Sequence, residues 1–135
     1  MSLNQVIDTA TNYCKNISKL NDFQQLPFEK RKHESSTILK KYPDKVGIIV
    51  QKSNKCYEDI ELDKQKFLVP KNITMGQFLF IIRKRLKLKA EKAIYMFTEN
   101  CSIPPTSYLI SNIYAQNVNE DGFLYMYYTS ENTFG

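Results

Sequence analysis

Residues 46–70, VGIIVQKSNKCYEDIELDKQKFLVP, decide how this chain is read. Val46 to Val50 is β-branched apart from Gly47, the composition of a buried strand. Lys66 to Pro70, KFLVP, is a second short strand, and a proline at its last position suits a strand end. The polar SNKCYED between them reads as a turn or loop, so the two strands form a connected pair. Alternation along KFLV sends Lys66 and Leu68 to one side and Phe67 and Val69 to the other.

Reading outward from this pair supplies the remaining elements. Downstream, Thr74 caps a helix that runs through Leu86, with Phe78, Ile81, Ile82 and Leu86 apolar at helical spacing. Ala93 to Phe97, AIYMF, is a third strand and SIPPTS a turn. Tyr108, Leu109, Ile113 and Tyr114 mark a short helix. Asn119-Glu120-Asp121-Gly122 then turns into FLYMYY, a fourth strand. Upstream, Pro27 fits the first turn of a helix that Tyr42-Pro43-Asp44 breaks. In residues 3–20, Leu3, Val6, Ile7, Ala10, Cys14, Ile17 and Leu20 recur at steps of three and four, an amphipathic helix ending near Asn21 and Asp22. The order helix, helix, strand, strand, helix, strand, helix, strand predicts an α+β fold: a ubiquitin-like β-grasp roll on a four-stranded mixed sheet, with two additional N-terminal helices.

The 135 residues make one ordinary domain, and 42% hydrophobic with 24% charged residues argues for a folded chain. One His, three Cys and four Gly leave little material for a His-based metal cluster or a Gly-rich phosphate cradle. The three cysteines, Cys14, Cys56 and Cys101, form neither a CxxC pair nor an even set, which argues against a disulfide framework and suits a reducing compartment. No apolar run reaches the roughly 20 residues of a membrane span, and the N-terminus lacks the form of a signal peptide. The cytosol is the expected compartment.

Cys–His catalysis has poor support, because His33 lies in a basic helical segment with no Cys near it in sequence. Glu58, Asp59, Glu61 and Asp63 read as a solvated loop. The net charge of +5 is uneven: residues 27–52 carry +4, residues 72–92 carry +5 and residues 93–135 carry −4. Arg83–Lys89, RKRLKLK, could grip phosphates, but it also ends a helix, where basic side chains meet the dipole favourably. No exposed-aromatic RNA signature accompanies it, and no nucleic-acid partner is expected.

The segments PFEKRKHESSTILKKYPDKVGIIV, LDKQKFLVPKNITMGQFLFIIRKRLKLKAEKAIYMF, SIPPTS and EDGFLYMYYTSENTFG resemble the autophagy ubiquitin-like modifiers of the GABARAP and light-chain type. The likeness runs almost continuously from Pro27 to Gly135, which places a divergent helical extension at 1–26 and the ubiquitin-like domain, with a flexible tail, at 27–135. The resemblance implies a modifier, not an enzyme, and no cofactor. Its C-terminal glycine, Gly135, would be activated by a ubiquitin-like cascade and passed to the amine of phosphatidylethanolamine. A terminal Gly lacks Cβ, so such a tail threads a narrow enzyme channel unhindered. The implied partners are activating and conjugating enzymes, a processing and deconjugating cysteine protease, the membrane reached through the lipid, and short linear motifs of cargo receptors and autophagy proteins. The implied locations are cytoplasm and, after lipidation, autophagosome or other vesicle membrane.

The resemblance also implies a peptide groove beside KFLVP, with the peptide added as a strand. An aromatic pocket would be lined by Glu34, Ile38, Ile49, Lys66, Leu68 and Phe123. An aliphatic pocket, for the last residue of an aromatic-x-x-aliphatic motif, would be lined by Phe67, Val69, Pro70, Ile73, Phe78 and Ile81. Lys45, Lys66 and Arg85 would pair with acidic residues flanking the motif. Without the resemblance, Ile49, Leu68, Phe78 and Phe123 would all be assigned to the core.

The chain departs from the family pattern at three places. Gly47 stands where members usually carry a proline lining the aromatic pocket, which predicts a shallower or more mobile wall. One residue is added in the SNKCYED loop. Twenty-six residues precede PFEKR, and NDFQQL replaces the usual acidic, histidine-containing lead-in. The helix of 3–20 would dock on the roll, or alternatively serve a membrane or partner. Gly47 and this front end motivate an alternative, an adaptor that keeps the groove but is never conjugated.

Overall fold

A computed structural model describes residues 23–53, 61–89 and 91–130. The helix expected over 3–20, most of the SNKCYED loop and Gly135 lie outside the described residues. A single 3-10 turn, Phe23–Gln25, leads into helix α1 (Phe28–Lys41). Strands β1 (Lys45–Lys52) and β2 (Lys66–Pro70) follow, then α2 (Met75–Leu86), β3 (Ile94–Thr98), α3 (Ile110–Asn117) and β4 (Leu124–Ser130).

Sheet order is β2-β1-β4-β3. β1 pairs with β2 antiparallel, Gly47 opposite Leu68, and with β4 parallel, Ile49 opposite Tyr125. β3 pairs with β4 antiparallel. The sheet is therefore mixed, with its parallel pair at the centre and β2 and β3 as the two edges, as the order of elements predicts.

Period-two alternation divides the sheet between two cores. Val46, Ile48, Val50, Phe67, Val69, Leu124 and Met126 face α2 and α3, which contribute Met75, Phe78, Ile82, Ile110 and Ile113. α2 starts as its sequence requires. The Thr74 hydroxyl accepts from the Gln77 backbone N–H, and the Gln77 side chain accepts from the Thr74 N–H, a reciprocal capping box. Its end closes on Lys87 in the left-handed region at φ 57, with Arg83, Lys84 and Arg85 in the last turn.

The other face holds Ile49, Phe123 and Tyr125, covered by Ile38 of α1 and by Phe23. α1 has a thin apolar stripe, so polar contacts tie it down. Arg31 Nη1 donates to Asp121 Oδ2 at 2.6 Å, and Asp121 is wholly buried. Tyr125 O–H donates to the same oxygen, and the Phe123 N–H donates to Oδ1 at 2.9 Å. Ser35 Oγ donates to the Asp121 carbonyl. Gly122 sits at φ +92, and a Cβ there would lie 2.3 Å from Ser35 Oγ, so no other residue fits the turn.

Cys101 is disulfide-bonded, which corrects the expectation of free thiols.

Burial pushes the Tyr125 phenol up from its ordinary value, and its bond to Asp121 adds to this while Arg31 opposes it. The folded state therefore holds the phenol neutral where the unfolded chain begins to ionise it, above about pH 10. This contribution to stability is complete below that pH and falls as pH rises through it. Tyr125→Phe should lose about 1.5–3 kcal/mol in urea melts at neutral pH. It should also show a flatter alkaline decline than the parent chain.

Candidate functional site

The predicted aromatic-pocket residues are assembled on the face of the sheet that α1 covers. Ile49 and Phe123 are fully buried there, with Ile38 against them. Lys66 and Glu34 close the rim as an ion pair. Leu68 projects from β2 on this same face, 37% exposed. Ile38, Ile49 and Phe123 share one cluster, Lys66 pairs with Glu34, and Leu68 stands opposite Gly47 in the sheet.

Gly47 does not leave this wall shallow. A Cβ at Gly47 would come within 2.8 Å of Phe123 Cε1 and 2.9 Å of Cδ1. Two atoms of the Phe123 ring occupy the space that a side chain at position 47 would take. The absent proline is thus exchanged for close aromatic packing, and the wall is solid.

The aliphatic-pocket residues divide differently. Phe67, Val69 and Phe78 belong to the main core, and Phe67 meets Phe78 edge-on at 5.9 Å between centroids. Surface is offered by Pro70, Ile73 and Ile81, the last 39% exposed. A shallow recess beside them is lined by Ile73, Thr74, Gly76, Gln77, Phe80, Ile81 and Thr106. Phe80, which no reading of the sequence singled out, is the most exposed large apolar residue of α2. Its signal was present, since Phe80 falls off the Phe78–Ile82 stripe.

The three cations assigned to charge pairing all have partners within the chain. Lys66 pairs with Glu34, and Arg85 Nη1 with Asp63 Oδ2 at 3.0 Å. The Lys45 ammonium lies 5.4 Å from the Tyr42 ring centroid. These are exposed contacts of small individual worth, so an incoming acidic group exchanges one weak pair for another. The basic block is further absorbed by Arg83, which donates to the Lys89 carbonyl, and by Lys84, 4.9 Å from the Phe80 centroid.

Phe23 is a second residue that sequence reasoning missed. Its ring stands edge-on to Phe123 at 5.1 Å and lies 6.3 Å from Tyr125. The Lys66 ammonium is 5.3 Å from its centroid. Among the described residues no group of His, Cys, Asp and Glu could hold a metal ion, and no helix is long and apolar enough to cross a membrane.

The arrangement has the parts that strand addition of an extended peptide would use. Among the described residues β2 is an edge of the sheet, where one more strand could add and side chains of alternating direction would meet the two pockets.

The profile of the family described as "Autophagy protein Atg8 ubiquitin like" matches residues 30–135. "Autophagy-related protein 8e" of Arabidopsis thaliana is 53% identical over 108 residues, covering 80% of this chain and 87% of that protein. "Autophagy-related protein 8" of Kluyveromyces lactis is 51% identical over 112 residues, covering 82% of this chain and 88% of that one. The crystal structure of Trypanosoma brucei ATG8 superposes with a TM-score of 0.78 at 40% identity, over 87% of this chain and all of that one.

Gly47→Ala should cost about 1–3 kcal/mol, because the new methyl overpacks Phe123. In urea denaturation the double variant with Phe123→Leu should lose less than the sum of the two single changes.

Proposed function

This chain belongs to the Atg8 family of ubiquitin-like autophagy proteins, and from that premise we propose that Gly135 is its point of attachment and the β2 edge its docking surface. The protein is a ubiquitin-like modifier in autophagy, joined to lipid as Atg8 proteins are. It is the conjugated substrate of the cascade, not its catalyst. Activating and conjugating enzymes carry the Gly135 carboxylate to the amine of phosphatidylethanolamine. A cysteine protease of the same system processes the tail and later cleaves the amide. One phosphatidylethanolamine brings two acyl chains, which meets the two-anchor requirement for stable attachment. The modifier then resides on autophagosome membranes, and returns to the cytoplasm when released.

The observation that carries this reading is the family match, which covers residues 30–135 and so includes Gly135. The docking half rests on the alternating burial along β2, which turns Leu68 outward at a strand that is an edge among the described residues. Aromatic-x-x-aliphatic motifs of cargo receptors and autophagy proteins would add as a strand there. Their aromatic would enter between Ile49, Leu68 and Phe123, and their aliphatic residue between Pro70, Ile73 and Ile81. The unconjugated adaptor loses part of its motive, since Phe123 fills the space beside Gly47.

Incubation with the activating and conjugating enzymes, ATP and phosphatidylethanolamine vesicles should yield a faster-migrating species on a urea gel. Gly135→Ala should yield none. Persistence of that species in the variant would contradict the tail assignment, and its absence from the parent chain would favour the adaptor.

Leu68→Ala should weaken binding of an acidic motif peptide about tenfold or more in calorimetry, with less than about 1 kcal/mol lost in stability, since Leu68 is off the core. Phe67→Ala is a poor probe of the groove, because that ring is 5% exposed and its loss would cost about 3–5 kcal/mol of fold stability.

A further inference from the structure

The segment before α1 reads Phe23-Gln24-Gln25-Leu26, an aromatic followed at the third position by an aliphatic. That is the spacing proposed for the ligands of the β2 groove. We infer that Phe23 is a resident occupant of the aromatic pocket, held there in cis and displaced when a motif peptide binds. The inference rests on the groove reading given above.

Phe23 precedes the region matched by the family, residues 30–135, yet its side chain is only 7% exposed. What buries it is the predicted pocket. Phe123 presents its ring at 5.1 Å, Ile49 and Ile38 belong to the same cluster, and the Lys66 ammonium caps the ring at 5.3 Å. Two of the six predicted pocket residues, Phe123 and Lys66, meet this ring directly, and Ile49 and Ile38 share its cluster. An aromatic delivered by another protein would need the same volume.

The resident segment engages only half of the groove. It is wound into a 3-10 turn, with the Leu26 N–H donating to the Phe23 carbonyl at 3.1 Å, so it forms no strand beside β2. Leu26 is 44% exposed, and its carbonyl accepts from Arg31 Nε at 3.1 Å. Ile73 and Ile81, across the sheet's other face, are left open. A tethered ligand competes at an effective concentration on the order of millimolar. It therefore screens out ligands that offer an aromatic alone. Motifs that also fill the aliphatic pocket and pair with β2 gain contacts that Phe23 does not make, and they displace it. The apparent affinity of any such motif falls by the fraction of chains in which the pocket is vacant.

The chain has no Trp, so Phe23→Trp makes a single reporter that keeps an aromatic ring in place. The full chain carrying it is titrated with an acidic peptide that contains one Phe-x-x-Leu core and no Trp. Binding is measured in parallel by calorimetry for the parent chain, Phe23→Trp and Phe23→Ala. The expected results are a red shift of the Trp emission at saturation and about tenfold tighter binding to Phe23→Ala than to the parent. Peptide binding with unmoved Trp emission, or an Ala variant that binds no tighter, would overturn the resident role and leave the groove intact. Binding to none of the three chains would overturn the groove reading itself, and this inference with it.

Discussion

A single carboxylate, that of Asp121, orders the functional face of this molecule. It has no solvent contact, and a buried charge left unpaired would cost several kcal/mol. Its partners come from separate parts of the chain: the Arg31 guanidinium from α1, the Tyr125 hydroxyl from β4, and the Phe123 amide from the turn between. Satisfying Asp121 therefore draws α1 against the sheet, even though that helix has little apolar surface of its own. The same bonds fix the backbone at Phe123 and aim its ring over Gly47. Ser35 completes the arrangement by bonding the Asp121 carbonyl in the space that only a glycine at 122 leaves open.

The groove follows from that constraint. Phe123 becomes a rigid wall, Ile49 the floor, and the rim is the Lys66–Glu34 pair. Sheet order then matters as much as side-chain chemistry. With β4 and β1 paired at the centre, β2 is an edge among the described residues, next to the wall, and the proposed docking surface adjoins it. The proposed groove is built from residues 34–123, and Gly135, the proposed point of attachment, is five residues beyond the last residue of β4, Ser130, in sequence.

Much of this architecture is legible in the sequence because it is local. KFLVP carries its alternation within five residues, and its observed bounds are Lys66–Pro70. Thr74 and Gln77 announce the capping box at fixed spacing. What the sequence hides is long-range. Arg31 and Asp121 are 90 positions apart, and no periodicity links Phe23 to Phe123. Gly47 reads as a gap until the ring of a distant phenylalanine is seen to fill it. Phe67, Val69 and Phe78 illustrate the opposite error of resolution, since alternation and family likeness cannot separate a pocket's surface from the core beneath it. Cys101 adds a covalent constraint that spacing alone argued against.

The central claim is that the β2 edge, and not the β3 edge, receives the ligand. Amide hydrogen exchange measured with and without a saturating acidic Phe-x-x-Leu peptide tests it most directly. The account predicts new protection over residues 66–70 of β2, with exchange over residues 94–98 of β3 unchanged. Protection confined to β3, or peptide binding with no change at β2, would contradict it.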